Sequence, residues 1–412
     1  MSPIDPDAEE PPIIYTPPSR LSKSTRAIGF LIFLLALLAR AACLKQLADS
    51  PSWDLISPEA AGYVEWANRM VAGDWIGTGA FPSSPLYAYF LGVVFSLSGP
   101  GLLAARLIQI VIGSATCVLI QRIGRQAFTP LAGVLAGTAA ALYAPFLAQD
   151  VTLDKEVFVV FFLCAAVYQL LAADGSQRGL LATAGVCLGL AALTRESLVL
   201  MAPVISIWLL IDPWLRGRMT TGRAREGLGR VGAFAVGLLL VIVPVTVRNY
   251  NLSGRPVPLT TTSGDLAKIR IGDGYPSPSR SLLVLLNRNE PAAPPNHERR
   301  RDAPAPVPAL PVLRLPLPAW GWAAPIALAG IVLSFARWRE ALVFYILGGG
   351  YIVIAVLLGF EAHRMPLVPL MLLFAAHGGI EIAVAIRRRR YIRAKIGVVA
   401  LLTGAILVNL TL

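Results

Sequence analysis

Two short segments of this sequence place acidic and hydroxyl side chains at spacings that suit group transfer. The first, SPEAAGYVEWA, begins at residue 57 and places Glu59, Tyr63 and Trp66 at positions i, i+4 and i+7. A helix would present all three on one face. The second, LDKE, contains Asp154 and Glu156 directly before an apolar run. Carboxylates such as these can accept the proton of an attacking hydroxyl when they lie within hydrogen-bonding distance of it.

Arginines occur in comparable positions, at or near the boundaries between apolar runs and polar loops. Arginine suits a phosphate ligand because its planar guanidinium donates two parallel hydrogen bonds. Charges at a membrane boundary are costly unless they are paired or hydrated, so they indicate a functional site. The candidates for phosphate binding are Arg195, Arg248, Arg270 and Arg364.

Each of these residues also has a purely structural interpretation. Ser57 could cap a helix whose first turn contains Glu59, where the helix dipole favours an acid. The two acids of LDKE could do the same for the next span. Arg195 and Arg364 could be ordinary interfacial anchors. The residues alone leave both interpretations open.

The composition indicates which elements must position these side chains. Hydrophobic residues make up 56% of the 412 residues and charged residues 15%, whereas soluble domains contain roughly 25% charged residues. The apolar runs are long enough to cross a bilayer, which takes about 20 helical residues. The net charge of +12 falls in short segments between these runs, as cytoplasmic loops would carry it. The sequence therefore predicts an all-α polytopic membrane protein with no nucleic-acid partner.

Eleven apolar runs predict transmembrane helices. Arg20, Lys23 and Arg26 precede the first run and place the N-terminus in the cytoplasm. The segment FPSSPLYAYFLGVVFSLSGPG has only about 13 consecutive apolar residues, and a crossing there would move most basic loops outside. It is predicted to be a juxtamembrane helix. The predicted spans are residues 27–48, 102–121, 128–147, 157–172, 180–194, 197–213, 231–247, 319–336, 341–359, 366–386 and 396–412.

This topology divides the chain into four parts and brings the candidate acids and arginines to the outer side. The protein is predicted to lie in the cell (inner or plasma) membrane. The parts are a disordered cytoplasmic tail at 1–26, a transmembrane catalytic module at 27–273 with outer loops at 49–101 and 148–156, a Pro/Arg-rich outer loop at 274–318, and C-terminal transmembrane helices at 319–412.

The order of the segments resembles the lipid-linked-sugar glycosyltransferases of the GT-C class. The likeness is closest to the protein O-mannosyltransferase and aminoarabinose-transferase type, glycosyltransferase family 39. It covers about residues 27–273 and 319–386. The family usually has Asp as its first acid, and this chain has Glu59. The matching segments are EAAGY followed by VEWANRMVAGDW, SSPLYAYFLGVVFSLSG, LDKEVFVVFFL, GLAALTRESLVL, RNYNLSGRPVPLTTTSGDLAKIRIGDG and HRMPLVPLMLLFAAHG.

The resemblance implies transfer of a sugar, of the hexosyl or mannosyl kind, from a polyprenyl-phosphate donor to a lipid, glycan or protein acceptor at the outer membrane face. Glu59 would deprotonate the acceptor and give inversion. Asp154 or Glu156 would orient the acceptor, or hold a divalent cation if one is used; no other cofactor is implied. The residues around the donor would be Tyr63, Arg195, Arg270, Arg364 and, more weakly, Arg248.

Two other functions stay open at this point. The first is a catalytically inactive GT-C-like scaffold, which the Glu59 replacement and the unmatched Pro/Arg-rich loop suggest. The second is a transporter or flippase of lipid-linked sugars, which would favour charges inside the spans and broken helices in matching halves.

Overall fold

The structure is a computed structural model that describes residues 23–173, 177–215, 223–261, 318–358 and 364–409. These residues form α-helices joined by short turns, and the described part of the chain contains no strand. The helices are α1 Lys23–Ala48, α2 Pro58–Val71, α3 Leu86–Ser98, α4 Leu102–Ala127, α5 Pro130–Ala141, α6 Ala144–Val151, α7 Glu156–Ala172, α8 Arg178–Thr194, α9 Met201–Leu215, α10 Arg223–Ser253, α11 Trp320–Ser334, α12 Trp338–Leu358, α13 Val368–Arg387 and α14 Tyr391–Asn409.

The all-α membrane fold predicted from the sequence is confirmed, and helices lie at all of the predicted spans. Within the described ranges, five helices are long and apolar enough to cross a membrane. The count becomes six if α5 and α6, which meet at a 50° bend, are one broken span. Shorter apolar helices such as α7 and α8 make up much of the rest. The count of eleven spans therefore stays a prediction.

Helix α1 starts earlier than the sequence predicted. It begins at Lys23 instead of residue 27, because a helix can continue past its apolar run when its first turn is polar and lies at the interface. The rest of the predicted tail, and all but the last residue of the predicted loop at 274–318, lie outside the described residues.

Small residues allow neighbouring helices to approach each other closely. Helices α8 and α10 pack against each other. A Cβ on Gly185 would overlap the carbonyl oxygen of Phe234, and one on Gly237 would overlap that of Ala182. In a membrane, where apolar surfaces are not driven together by water, such close backbone contact is a main source of helix association.

A buried ion pair fixes the bent part of the bundle. The Arg40 guanidinium of α1 lies 2.5 Å from the Asp150 carboxylate of α6, and the Arg40 side chain is fully enclosed. Arg40 also donates to the carbonyl oxygens of Ala36, at 3.2 Å, and Ala141, at 3.4 Å. A Cβ on Gly113 of α4 would overlap the Asp150 carboxylate. The pair therefore sets the position of α6, which leads directly into the LDKE segment.

The first loop is tied to the bundle by buried polar contacts. The Tyr87 hydroxyl of α3 donates to Gln109 of α4 at 2.8 Å, and the Gln109 amide donates to the carbonyl of Thr152 at 2.8 Å. Arg106 donates to the carbonyl of Trp53 at 2.8 Å, and its guanidinium lies 4.1 Å from the centre of the Trp53 ring. These contacts place α2 and α3 beside the LDKE segment. The predicted juxtamembrane segment is α3, a helix of 13 residues.

Candidate functional site

The SPEAAGYVEWA segment forms the start of α2. The Ser57 hydroxyl accepts a hydrogen bond from the Ala60 amide at 3.1 Å, and Pro58 is the first helical residue. Glu59 is in the first turn, where its charge complements the helix dipole. The structural interpretation of this segment is thus correct as far as it goes. It leaves the Glu59 side chain 62% exposed, available to a ligand.

Helix α2 lines a cavity of about 670 Å³, which we call the site cavity. Glu59, Tyr63 and Trp66 all line it, as their helical spacing predicted. The rest of the lining includes Lys155, the segment 195–197 and residues 82–84. A cavity of this size can hold a sugar and a phosphate group.

Lys155, which lies just before α7, contacts two residues of α2 at the site cavity. Its ammonium lies 2.6 Å from the Glu59 carboxylate and donates to the Tyr63 hydroxyl at 3.3 Å. Burial alone would lower the pKa of Lys155, but Glu59 and Tyr63 more than compensate and the pKa is raised. Burial also raises the pKa of Tyr63. Both groups keep their protons at neutral pH, so Lys155 is a cation and Tyr63 a neutral hydroxyl.

Arg195 is another cation that lines the site cavity. It pairs with Glu156, which does not line the cavity. The Arg195 guanidinium donates to the Glu156 carboxylate, and both side chains are less than 10% exposed. Glu156 lies at the start of α7 and also lines a separate pocket of about 10 Å³ beside the Arg40–Asp150 pair. Its second carboxylate oxygen has no hydrogen-bond partner among the described residues. Glu156 therefore contacts Arg195 and not the open cavity.

Asp154 lies in the turn between α6 and α7. Its carboxylate accepts a hydrogen bond from the Glu156 amide at 2.9 Å, which caps the start of α7. Burial raises the pKa of Asp154 to about 7, and the nearby charge of Glu59 adds to this effect. Arg195 and Lys155 act in the opposite direction and are outweighed. Asp154 is thus partly protonated at neutral pH.

Two of the remaining predicted arginines hold other parts of the fold. Arg248 donates to the carbonyl of Gly79 at 2.8 Å and lies over the Phe81 ring, with its guanidinium 3.6 Å from the ring centre. It therefore fixes the segment before α3. The Arg364 guanidinium lies 5.5 Å from the centre of the Trp320 ring. Arg270 lies outside the described residues.

The donor set around the cavity does not fit a cation held by protein ligands. In the part of the chain that the structure describes, no group of three or more His, Cys, Asp or Glu side chains could hold a metal ion. One oxygen of Glu156 is already engaged by Arg195.

The sequence analysis did not identify Lys155 as a site residue, nor Arg40 and Asp150 as an ion pair. Lys155 is the single cation within the acidic stretch QDVTLDKE. Arg40 is a charged residue inside an apolar span, and such residues mark functional or paired positions. Its partner Asp150 could not be identified from the sequence, because the two are 110 residues apart and meet only through the bend between α5 and α6.

Comparisons with known proteins agree with the fold. Residues 82–246, less than half of the chain, match the family model of dolichyl-phosphate-mannose-protein mannosyltransferases. A search of curated protein sequences finds no match. Among solved structures, ArnT from Cupriavidus metallidurans bound to undecaprenyl phosphate is similar, with 17% identity and a TM-score of 0.56, covering 86% of this chain and 59% of that one.

Two structures of the Archaeoglobus fulgidus oligosaccharyltransferase are also similar. One is tethered to an acceptor peptide, with 14% identity and a TM-score of 0.54, covering 92% of this chain and 55% of that one. The other is AglB in complex with an inhibitory peptide and a dolichol-phosphate. It has 12% identity and a TM-score of 0.53, and the match covers 94% of this chain and 56% of that one. This chain thus spans less than two thirds of the length of each protein. The predicted resemblance to the GT-C class is confirmed.

Proposed function

We propose that this chain, which has the GT-C glycosyltransferase fold, is a membrane glycosyltransferase that moves a sugar from a polyprenyl-phosphate donor to a hydroxyl acceptor. The observation that carries the proposal is the site cavity itself. It brings a solvent-accessible carboxylate, Glu59, together with two cations, Lys155 and Arg195. The similar structures with bound undecaprenyl phosphate and dolichol-phosphate support a lipid-phosphate donor.

In the proposed reaction, Glu59 takes the proton of the acceptor hydroxyl. The acceptor oxygen attacks the anomeric carbon while the bond from that carbon to the phosphate oxygen breaks. The electron pair of this bond stays on the polyprenyl phosphate, which leaves with one more negative charge. Because attack comes from the side opposite the leaving group, the anomeric configuration inverts. Arg195 stabilises the charge that develops on the phosphate, and preorganised donors of this kind contribute about 10²–10³-fold to the rate.

The two acids of the LDKE segment have different proposed roles. Glu156 is a positioning residue, since it contacts Arg195 and holds its guanidinium at the cavity wall. Asp154 is not among the residues that line the site cavity; it adjoins Lys155 in the turn before α7 and stays a proposed residue for orienting the acceptor hydroxyl. Arg364 and Arg270 stay proposed contacts of the donor, and Arg248 acts through the segment that it fixes.

The site cavity is proposed to face the outer side of the cell membrane, with the N-terminus in the cytoplasm. Helix α4 runs from the cavity end, where Arg106 lies beside the first loop, to Arg122 and Arg125. These arginines lie about 24–28 Å further along a straight helix of 1.5 Å rise per residue. The basic segment RRRRYIRAK covers the end of α13, the turn after it and the start of α14. Positive charge at that end of the bundle favours a cytoplasmic location for it.

The direct test uses the purified chain in proteoliposomes with a labelled polyprenyl-phosphate hexose, mannose first. Label should move to membrane lipid, glycan or protein acceptors, unlabelled polyprenyl phosphate should appear in equal amount, and the product should have inverted anomeric configuration. Movement of the intact donor between leaflets without cleavage would contradict the proposal and favour a flippase. Binding of the donor without cleavage would favour an inactive scaffold.

A further inference from the structure

Lys155 has an arrangement that the proposed reaction does not explain. Its ammonium lies 2.6 Å from the Glu59 oxygen Oε1. The ammonium occupies one of the lone-pair positions of the carboxylate and competes with an acceptor hydroxyl for the space beside it. The chain thus holds its proposed base in contact with a cation. Contact of Lys155 with another anion would free this side of the carboxylate.

The charges around the site cavity show what that anion is. Six charged side chains line it, three of each sign, so the lining is neutral without a ligand. Arg195 is already balanced by Glu156 from behind. Lys155 is paired with the Glu59 carboxylate, and Arg69 is exposed to solvent, where screening weakens its attraction for an anion. An anion that enters the enclosed part of the cavity therefore gains most by contacting Lys155. The six side chains are Glu59, Glu65, Arg69, Lys155, Arg195 and Glu196.

The two side chains of the Lys155–Glu59 pair also differ in their exposure to solvent. The Lys155 side chain is 15% exposed, whereas that of Glu59 is 62% exposed. An exposed carboxylate is screened by water and holds a cation weakly. Glu59 can turn into solvent at little cost, whereas Lys155 is held by its buried stem and by the Tyr63 hydroxyl. A phosphate beside Lys155 and Arg195 would be shielded from water and bound more strongly.

We propose that Lys155 is a shared cation that contacts Glu59 in the ligand-free chain and the phosphate of the lipid-linked donor in the loaded enzyme. This inference rests on the proposed function. Donor binding then releases the Glu59 carboxylate, so both of its oxygens are available to the acceptor when a sugar is in place. No bond is made or broken in this exchange; one ionic contact replaces another. Donor binding therefore favours deprotonation of the acceptor.

Binding of undecaprenyl monophosphate to the full chain in nanodiscs tests the exchange, with undecaprenol as the uncharged control lipid. Lys155→Gln should weaken binding of the phosphate at least tenfold, whereas Lys155→Arg should keep most of it. Glu59→Gln should tighten binding severalfold, because it removes the competitor for Lys155. In a chain that already carries Lys155→Gln, Glu59→Gln should hardly change the affinity for undecaprenyl monophosphate, because no lysine is left for Glu59 to compete for.

A matched control separates the specific contact from general electrostatics. Glu65→Gln removes a carboxylate from the same helix and the same cavity, and it should tighten binding much less than Glu59→Gln. Equal tightening by both variants, or the same effect of Glu59→Gln with and without Lys155, would overturn the shared cation. Lys155→Gln that binds like wild type would do so as well, leaving the proposed function intact. Failure of the wild-type chain to bind the phosphate would overturn both. Lys155→Arg keeps the charge, so it answers the same question if Lys155→Gln does not fold.

Discussion

The buried pair of Arg40 and Asp150 should be among the most sensitive positions of the membrane bundle. Its atoms lie 2.5 Å apart, and neither residue is more than 4% exposed. Removing one partner of such a pair leaves an uncompensated buried charge, which costs about 3–5 kcal/mol. Asp150→Ala should fall near the lower limit, because Arg40 keeps its hydrogen bonds to two backbone carbonyls. Arg40→Met should cost a similar amount.

The double variant Arg40→Met/Asp150→Ala separates the pair from its surroundings. It removes both charges, so it should lie within about 1–2 kcal/mol of wild type in free energy of unfolding, as replacement of a whole buried pair is often nearly neutral. The coupling energy between the two sites should then exceed about 2 kcal/mol, which is large for residues in contact. Unfolding by sodium dodecyl sulfate in mixed micelles, followed by circular dichroism, measures each variant.

A less buried pair in the same protein provides the comparison. Glu59→Gln breaks an ion pair whose carboxylate is 62% exposed while its Lys155 partner is 15% exposed. It should therefore lower the free energy of unfolding by less than Asp150→Ala does, because water screens the exposed member of the pair. If Asp150→Ala costs less than about 1 kcal/mol, or if the two single changes simply add in the double variant, the pair does not stabilise the bundle as argued from its burial.

Three further predictions concern the site and its support. Neutral Asp154 favours the folded chain, and this stability is full below its unfolded pKa of about 3.9 and lost as pH rises through about 7. Asp154→Asn should therefore flatten the decline of the melting temperature between about pH 4 and about pH 7, measured by differential scanning fluorimetry. Arg195→Lys should lower kcat for sugar transfer about 10²–10³-fold, because one ammonium cannot replace the bidentate guanidinium. The Asn249 side-chain amide donates to the carbonyls of Val257 and Leu259 and accepts from the Phe81 amide. Asn249→Ala should therefore destabilise the fold by about 1–3 kcal/mol for each buried partner left unpaired. A melting temperature by fluorimetry equal to that of wild type would contradict this.

Local features of the fold could be read from the sequence. The apolar runs predicted the helices because a bilayer requires backbone groups to be satisfied within each segment. Ser57 and Pro58 predicted the start of α2, and the helical spacing of Glu59, Tyr63 and Trp66 predicted that they would share a helix face, which lines the site cavity. These inferences need only neighbouring residues. The predicted sidedness of the chain placed Arg195 on the same side as Glu59, and Arg195 lines the same cavity.

Contacts between distant helices could not be read in this way. The sequence gives no indication that Glu156 lies behind Arg195 or that Arg40 finds Asp150, since each pair depends on how separate helices are packed. Lys155 lies between Asp154 and Glu156 in the sequence. In the folded chain it instead pairs with Glu59, 96 residues away, because the packing of α2 brings that carboxylate to it. For the same reason the pKa of Asp154 follows from its surroundings and not from its neighbours in the chain.

The role of Glu59 as the base is the central claim, and one measurement tests it most directly. Single-turnover sugar transfer from a polyprenyl-phosphate donor should be compared for wild type, Glu59→Asp and Glu59→Gln, each first shown to bind undecaprenyl monophosphate. Loss of general-base catalysis predicts that Glu59→Gln is slower by about 10²–10⁴-fold while it still binds the lipid phosphate. Glu59→Asp should keep part of the rate, because it keeps the carboxylate on a shorter side chain. Transfer by Glu59→Gln at the wild-type rate would contradict the account.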